Sequence, residues 1–313
     1  MILTITANPS IDIQYPIDSF ATKTVNRSPE THKTAGGKGI NVTKVIHYAG
    51  YDVLATGFLG GANGEWIKKQ LHKQSISEQF FPIEGETRNC IAIIHDGKQT
   101  EILEAGPHVE NVAQQMFLHE YTKILSSNIS VVVASGSLPK GCDAHYYGRM
   151  IQLADEFGCK FLLDTSGNVL KESIQYKPYM IKPNEEELEQ LVGKKIHSEE
   201  DTIDAMTEIH QQGIPLIVVS RGKNGALAMY ENRIFKVTIP TVTVVNPVGS
   251  GDSTVAGIAI GLQEKWPIEK TLRYACTLGT ANAVEKETGF VRKETIEQIF
   301  SETSVEELNF TKS

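Results

Sequence analysis

The stretch Asn246-Pro247-Val248-Gly249-Ser250-Gly251-Asp252-Ser253-Thr254 combines residue types that can hold an anion beside a base. A run of β-formers over residues 241–245 leads into it. A helical pattern leaves it, with Val255, Ile258, Ala259, Leu262 and Trp266 on one face. A chain that turns from strand to helix within a few residues leaves the first helical amides without carbonyl partners, and the helix dipole favours an anion there. Gly249 and Gly251 place no side chain between those amides and a phosphoryl group. Asp252 then stands at the rim of the cradle as a candidate base next to a phosphate under attack. The same residues also suit a plain turn in which Asp252 or Ser253 is the N-cap.

Other stretches carry chemistry of the same kind. Gly36-Gly37-Lys38-Gly39 precedes a helix, so a ligand can approach its backbone closely and Lys38 can pair with an anionic group. It lacks the Lys-Ser/Thr ending of a Walker A loop. In Lys182-Pro183-Asn184-Glu185-Glu186-Glu187, Asn184 and Glu187 have capping-box spacing. The functional reading of that segment puts Lys182 on nucleotide phosphates, with Asn184 and Glu187 near a magnesium ion or its waters, and the two readings are compatible. Arg88 opens a strand and suits a phosphate, Arg27 is a weaker candidate of the same kind, and Asp12 suits sugar hydroxyls. Ser137 and Ser250 sit in loops without a Gly-X-Ser-X-Gly elbow or a histidine placed to activate them, which argues against a serine hydrolase.

These residues need a scaffold. Strands are expected at residues 2–8, 53–59, 131–134, 161–164, 180–182 and 216–219, with helical stretches between the later ones. That alternation predicts an α/β fold with a mostly parallel sheet and helices on both faces. Residues 88–104 read as a β-hairpin about Asp96-Gly97 with no helix between its strands, so they and the polar strands of residues 11–34 form a small separate sheet. Residues 225–245 read as antiparallel strands. Nearly every unusual loop falls at the C-terminal end of a predicted strand, where ligands bind in such sheets. The chain has 313 residues, 40% of them hydrophobic, enough for one large core. Its net charge of -8 with no basic block argues against nucleic acid and acidic membranes as partners. The scattered Cys90, Cys142, Cys159 and Cys276 fit reduced thiols in a cytoplasmic protein, and no run is apolar enough to span a bilayer.

Taken together, Gly36-Gly37-Lys38-Gly39-Ile40-Asn41 and Asn246-Pro247-Val248-Gly249-Ser250-Gly251-Asp252-Ser253 resemble the two signatures of the PfkB-type sugar kinases of the ribokinase superfamily. Further likeness to the group of tagatose-6-phosphate kinases, close to 1-phosphofructokinases, lies in Asn8-Pro9-Ser10-Ile11-Asp12, Thr87-Arg88-Asn89-Cys90-Ile91-Ala92-Ile93, residues 100–107 and Ser135-Gly136-Ser137-Leu138-Pro139. The resemblance implies a ribokinase-like three-layer fold as a single kinase domain over 1–313, with a β-sheet lid from about 10–34 and 86–106. It implies Asp252 as catalytic base and Gly249, Ser250 and Gly251 as anion hole. Asp12, Gly36, Gly37, Lys38, Asn41, Arg88, Ser137 and Arg27 would contact the sugar phosphate. Lys182, Asn184, Ser220, Gly222, Gly225 and Asn282 would surround ATP, with Glu187 and Asn184 at magnesium and a monovalent cation as a further cofactor. Arg221 departs from the apolar residue usual beside Ser220, Ser250 replaces the superfamily's common alanine, and Ala7 a larger apolar residue.

The expected activity is ATP-dependent phosphorylation of a ketohexose phosphate, with tagatose 6-phosphate preferred and fructose 1-phosphate as alternative. A non-catalytic sugar-phosphate sensor is a rival from another class, opposed by the retention of Asp252 with both glycines. The lid strands, with Ile91, Ile93 and Ile102 in alternation, are expected to pair in a homodimer.

Overall fold

The computed structural model describes residues 1–308. Among these the strands are β1 (Ile2–Thr6), β2 (Ser10–Pro16), β3 (His32–Gly36), β4 (Val53–Leu59), β5 (Ser77–Glu78), β6 (Phe81–Pro82), β7 (Arg88–His95), β8 (Lys98–Leu103), β9 (Val131–Ser135), β10 (Lys160–Asp164), β11 (Met180–Ile181), β12 (Leu216–Ser220), β13 (Ala226–Tyr230), β14 (Arg233–Thr238) and β15 (Ser304–Leu308). The helices are α1 (Lys38–Tyr48), α2 (Gly61–Lys73), α3 (Asn111–Leu125), α4 (Tyr146–Glu156), α5 (Gly167–Ser173), α6 (Glu185–Val192), α7 (Glu199–His210), α8 (Ser250–Gln263), α9 (Ile268–Ala283) and α10 (Lys293–Glu302).

The main sheet runs β15-β14-β13-β12-β11-β10-β9-β1-β4-β5, with β6 beside β4. From β12 to β5 every pair is parallel, and β13, β14 and β15 add antiparallel strands at one side. Its central strands are apolar on both faces because helices cover both. Ile2, Val131 and Val133 pack with residues of α1, α8 and α9, while Leu3, Ile5, Val132 and Ala134 pack with residues of α3, α4 and α7. Full burial of one such side chain stabilises by roughly 1.5–3 kcal/mol, and the buried hydroxyl of Thr4 in β1 is accommodated by a 2.6 Å hydrogen bond with that of Thr43 on α1. The strand order reverses at β1, which has β4 on one side and β9 on the other. A crevice therefore opens beyond its C-terminal end.

A second sheet, four-stranded with order β3-β2-β7-β8, stands apart from the first. β7 and β8 form the expected hairpin, with His95 opposite Lys98 across the Asp96-Gly97 turn. β2 runs parallel to β7 and antiparallel to β3, which sets Asp12 beside both Cys90 and Thr34. Ile11 and Ile13 face the other way, into a third apolar cluster with Ile67 and Leu71 of α2.

Three expectations fail. Residues 241–245 are not a strand: Val244 and Val245 are exposed, and the segment's hydrogen bonding is confined to the Val245 and Asn246 amides on the Ala283 carbonyl. Its β-branched composition is overridden because β15, from the end of the chain, takes the place beside β14. The helix after the glycine turn is not amphipathic, since residues 252–261 are all buried between α9, α1 and the sheet, and Trp266 lies beyond its end. Ile91 does not decorate an open face but packs against the third cluster.

Candidate active site

A cavity of about 1110 Å³ lies between the small sheet and the C-terminal ends of the main strands. The small sheet supplies Asp12, Arg88 and Glu101; the ends of β1, β9, β10 and β11 supply Asn8, Ser137, Asp164 and Lys182; and the starts of α1 and α8 supply Gly37, Lys38, Asn41, Gly249, Gly251 and Asp252. Residues distant in sequence meet here because parallel strands all end on one side of the sheet.

Asp252 is 6% exposed and sits in the first turn of α8. Its Oδ2 accepts a hydrogen bond of 2.9 Å from Asn41 Nδ2. Neither Asp252 nor Ser253 caps the helix, which corrects one of the two readings of this loop. Gly249 is the N-cap, in a left-handed conformation with φ 84°, and the Ser253 hydroxyl donates back to the Gly249 carbonyl at 2.8 Å. A Cβ on Gly249 would come within 2.7 Å of Thr288 Cγ2, and one on Gly251 would lie 3.2 Å from Lys182 Nζ. The lysine ammonium thus lies over the helix start, where an anion would also find the first-turn amides. Burial raises the Asp252 carboxyl to about 6; the Asp164 carboxylate pushes the same way, and Lys38, Asn41 and Lys182 oppose it.

Asp164, to which the sequence assigned no role, joins the two cations. It is 3% exposed, with Oδ1 3.4 Å from Lys182 Nζ and Oδ2 3.8 Å from Lys38 Nζ. Its signal was present as an acid closing a buried apolar strand. Ser250 Oγ is buried without a hydrogen-bond partner but does not line the cavity, whereas the cavity-lining residues contribute four such atoms, Asp164 Oδ2, Asn8 Oδ1, Asn41 Oδ1 and Ser135 Oγ. A buried polar atom left unpaired costs about 1–3 kcal/mol, so a cluster of them at one cavity marks where a ligand's polar groups belong.

On the small-sheet side Asp12 accepts a 2.6 Å bond from Ser10 Oγ, and burial raises its carboxyl. Gly36 lies so close that a Cβ there would meet the Asp12 carboxyl carbon at 2.1 Å. Arg88 lines the cavity while its Nε and Nη2 donate to the Asn8 carbonyl and its Nη1 to the Glu104 carbonyl, at 3.3, 3.0 and 2.9 Å. Ser137 Oγ accepts from Asn8 Nδ2 at 3.3 Å. Arg27 is exposed and does not reach the cavity.

The pfkB family of carbohydrate kinases matches residues 5–295, almost the whole chain. The chain belongs to this family. It is 47% identical over 311 residues to the tagatose-6-phosphate kinases of two Staphylococcus epidermidis strains, covering 98% of this chain and 100% of each relative. Among solved structures, the Escherichia coli phosphofructokinase-2 in complex with potassium superposes with a TM-score of 0.90 at 25% identity, over 96% of this chain and 98% of that one. A Staphylococcus aureus structure presented as a candidate phosphofructokinase gives 0.85 at 32% identity, over 98% of this chain and 99% of that one.

As a pfkB kinase the chain has a nucleotide to place, and of the residues expected around it Lys182 lines the cavity just described while the others lie outside it. Asn184 and Glu187 form a complete capping box on α6: Asn184 Oδ1 accepts from the Glu187 amide at 2.8 Å and Glu187 Oε2 from the Asn184 amide at 2.9 Å. The Glu187 charge still reaches Lys38, whose ammonium it helps to hold in the charged form after Asp164 and Asp252. Ser220 bridges to Asn184, and Gly222 and Gly225 form the turn that follows. Arg221 points away from this turn to Glu185 and Glu199, at 3.1 and 2.7 Å, so it anchors the loop to α6 and α7. Asn282 is fully buried and braces the glycine turn before α8, donating to the Val248 carbonyl and accepting from the Gly289 amide, both at 2.8 Å.

Kinase chemistry implies ATP with magnesium. Among the described residues no cluster of three or more His, Cys, Asp or Glu could cage a metal. The residues fit instead an ion that arrives on nucleotide phosphates and keeps most of its waters, the usual habit of magnesium. Asp164 Oδ2, which has no hydrogen-bond partner, and the second oxygen of Glu187 are the acceptors available to such waters.

Proposed function

We propose that this protein transfers the γ-phosphoryl group of ATP to the C1 hydroxyl of tagatose 6-phosphate, giving the 1,6-bisphosphate. The observation that carries the reading is the buried Asp252, held by Asn41 beside the glycine turn of α8 and within electrostatic reach of Lys38 and Lys182. Asp252 accepts the hydroxyl proton as that oxygen attacks in line. The amides of the helix start and Lys182 carry the negative charge that spreads over the transferring group. Glu187 and Asp164 would hold magnesium, which would supply further neutralisation of phosphate charge. Asp12 orients sugar hydroxyls, and Lys38 and Arg88 hold the substrate's own phosphate. The small sheet acts as a lid that excludes water, the competing acceptor.

Identity of 47% to the tagatose-6-phosphate kinases supports this substrate over fructose 1-phosphate. A homodimer through the small sheet and residence in the cytoplasm belong to the same proposal. The edge strand β8 supports the first, with Ile102 54% and Leu103 60% exposed. No helix among the described residues is long and apolar enough to cross a membrane. A coupled ADP-release assay across tagatose 6-phosphate, fructose 6-phosphate and fructose 1-phosphate tests the proposal. The greatest kcat/KM is expected on tagatose 6-phosphate, and greater kcat/KM on fructose 1-phosphate would reassign the substrate. Running it with and without potassium tests the monovalent cation, which the potassium complex of phosphofructokinase-2 brings into question for this chain.

A further inference from the structure

Lys44 is 5% exposed and lies on the buried side of α1, one turn beyond Asn41. A lysine so placed needs acceptors for its donors, because an unpaired buried ammonium costs far more than an unpaired neutral group. Lys44 Nζ donates to the Ala35 carbonyl at 3.0 Å and to the Thr288 carbonyl at 3.1 Å. Both acceptors are main chain, and each belongs to a different half of the site.

Ala35 lies near the end of β3, next to Gly36, whose missing side chain leaves room for the Asp12 carboxyl. Thr288 belongs to the turn behind the anion hole. Its Oγ1 accepts from Asn246 Nδ2 at 3.2 Å, and its methyl packs where a Gly249 Cβ would stand. The next residue, Gly289, is pressed on Lys44 itself, since a Cβ there would meet Lys44 Cε at 2.9 Å and Asn41 Cα at 3.2 Å. The sugar-side strand, the helix that holds Asp252 through Asn41, and the turn supporting the anion hole therefore meet at one ammonium.

We infer that Lys44 is a positioning residue for phosphoryl transfer, fixing β3, the strand paired with the Asp12 strand β2, in register with the anion-hole loop through its paired bonds to the Ala35 and Thr288 carbonyls. The inference rests on the proposal that transfer occurs at Asp252. In-line attack tolerates little misplacement of the acceptor, and a small displacement far from the reacting atoms can cost about a hundredfold in rate. When the register slackens, water takes the place of the sugar hydroxyl on a fraction of turnovers. ATP is then cleaved to ADP and inorganic phosphate, with water supplying the oxygen and releasing the proton.

The test compares ADP formed with sugar phosphate phosphorylated in wild type and Lys44→Met, a variant that keeps chain length and packing but has no donors. Wild type gives a ratio of one. Lys44→Met is expected to lower kcat at least tenfold, to leave the KM for ATP within about twofold, and to raise the ratio clearly above one. A purely structural tie would lower the melting temperature and leave the ratio at one with kcat near wild type, and that result overturns the inference. Should Lys44→Met fail to fold, Lys44→Arg keeps charge and donors but places them differently, and a ratio of one with wild-type kcat in it overturns the inference equally. Failure of the underlying proposal shows elsewhere, as retained turnover in Asp252→Asn.

Discussion

A carboxylate that must take a proton from a sugar hydroxyl works best with a pKa close to the working pH. An ordinary aspartate is too acidic, and Asp252 is brought to about 6 chiefly by burial and secondly by the Asp164 charge. The acid limb of kcat/KM reports the free enzyme's base, so activity should fall about tenfold per pH unit below roughly that value. Asp164→Asn removes one cause that raises the Asp252 pKa, so the limb should move to lower pH even though kcat itself drops. A limb that stays in place when measured over pH 4.5–8 would show that Asp164 does not act on the base. Asp164 also separates Lys38 from Lys182, so the variant leaves two cations without their shared partner.

Elements matter here as carriers of single residues. The capping box of α6 keeps Asn184 and Glu187 side chains on each other's backbone, and the same helix start faces the site closely enough for Glu187 to act on Lys38. Glu187→Gln keeps a side chain able to complete the box, so the melting temperature should change little. Its lost charge should raise the magnesium concentration needed for half-maximal rate. An unchanged magnesium titration would leave Glu187 with capping alone. Much of this level was legible beforehand. Apolar runs marked the parallel strands, Asp96-Gly97 the hairpin, and the two glycine clusters two of the loops that line the cavity. What was not legible depended on long-range pairing. Residues 241–245 have strand composition but lose their place to β15, some sixty residues later, and local sequence carries no trace of that competition. Likewise Asp164 and Lys44 gain their meaning from neighbours distant in sequence: Lys38 and Lys182 for one, Ala35 and Thr288 for the other.

For the whole molecule, the proposed mechanism draws one half of the reaction from each sheet, with the sugar on the small sheet and the phosphoryl chemistry on the large one. The edge strand β8 leaves Ile102 and Leu103 in solvent, a pairing liability that a second copy would cover. Light scattering at micromolar concentration should give twice the mass of the chain, and a single-chain mass would remove the dimer from the account. Both halves converge on the carboxylate of Asp252, so the most direct measurement is turnover of Asp252→Asn alongside calorimetric binding of ATP and of tagatose 6-phosphate. Asparagine keeps the shape and can still accept from Asn41, but cannot take the proton. Because the folded pKa is raised, ionising Asp252 costs stability as pH rises through about 6, so the variant should melt no lower than wild type at pH 7–8. The account predicts turnover lower by about 10²–10⁴-fold with both ligands still bound. Near-normal turnover in a folded, ligand-binding Asp252→Asn protein would contradict it.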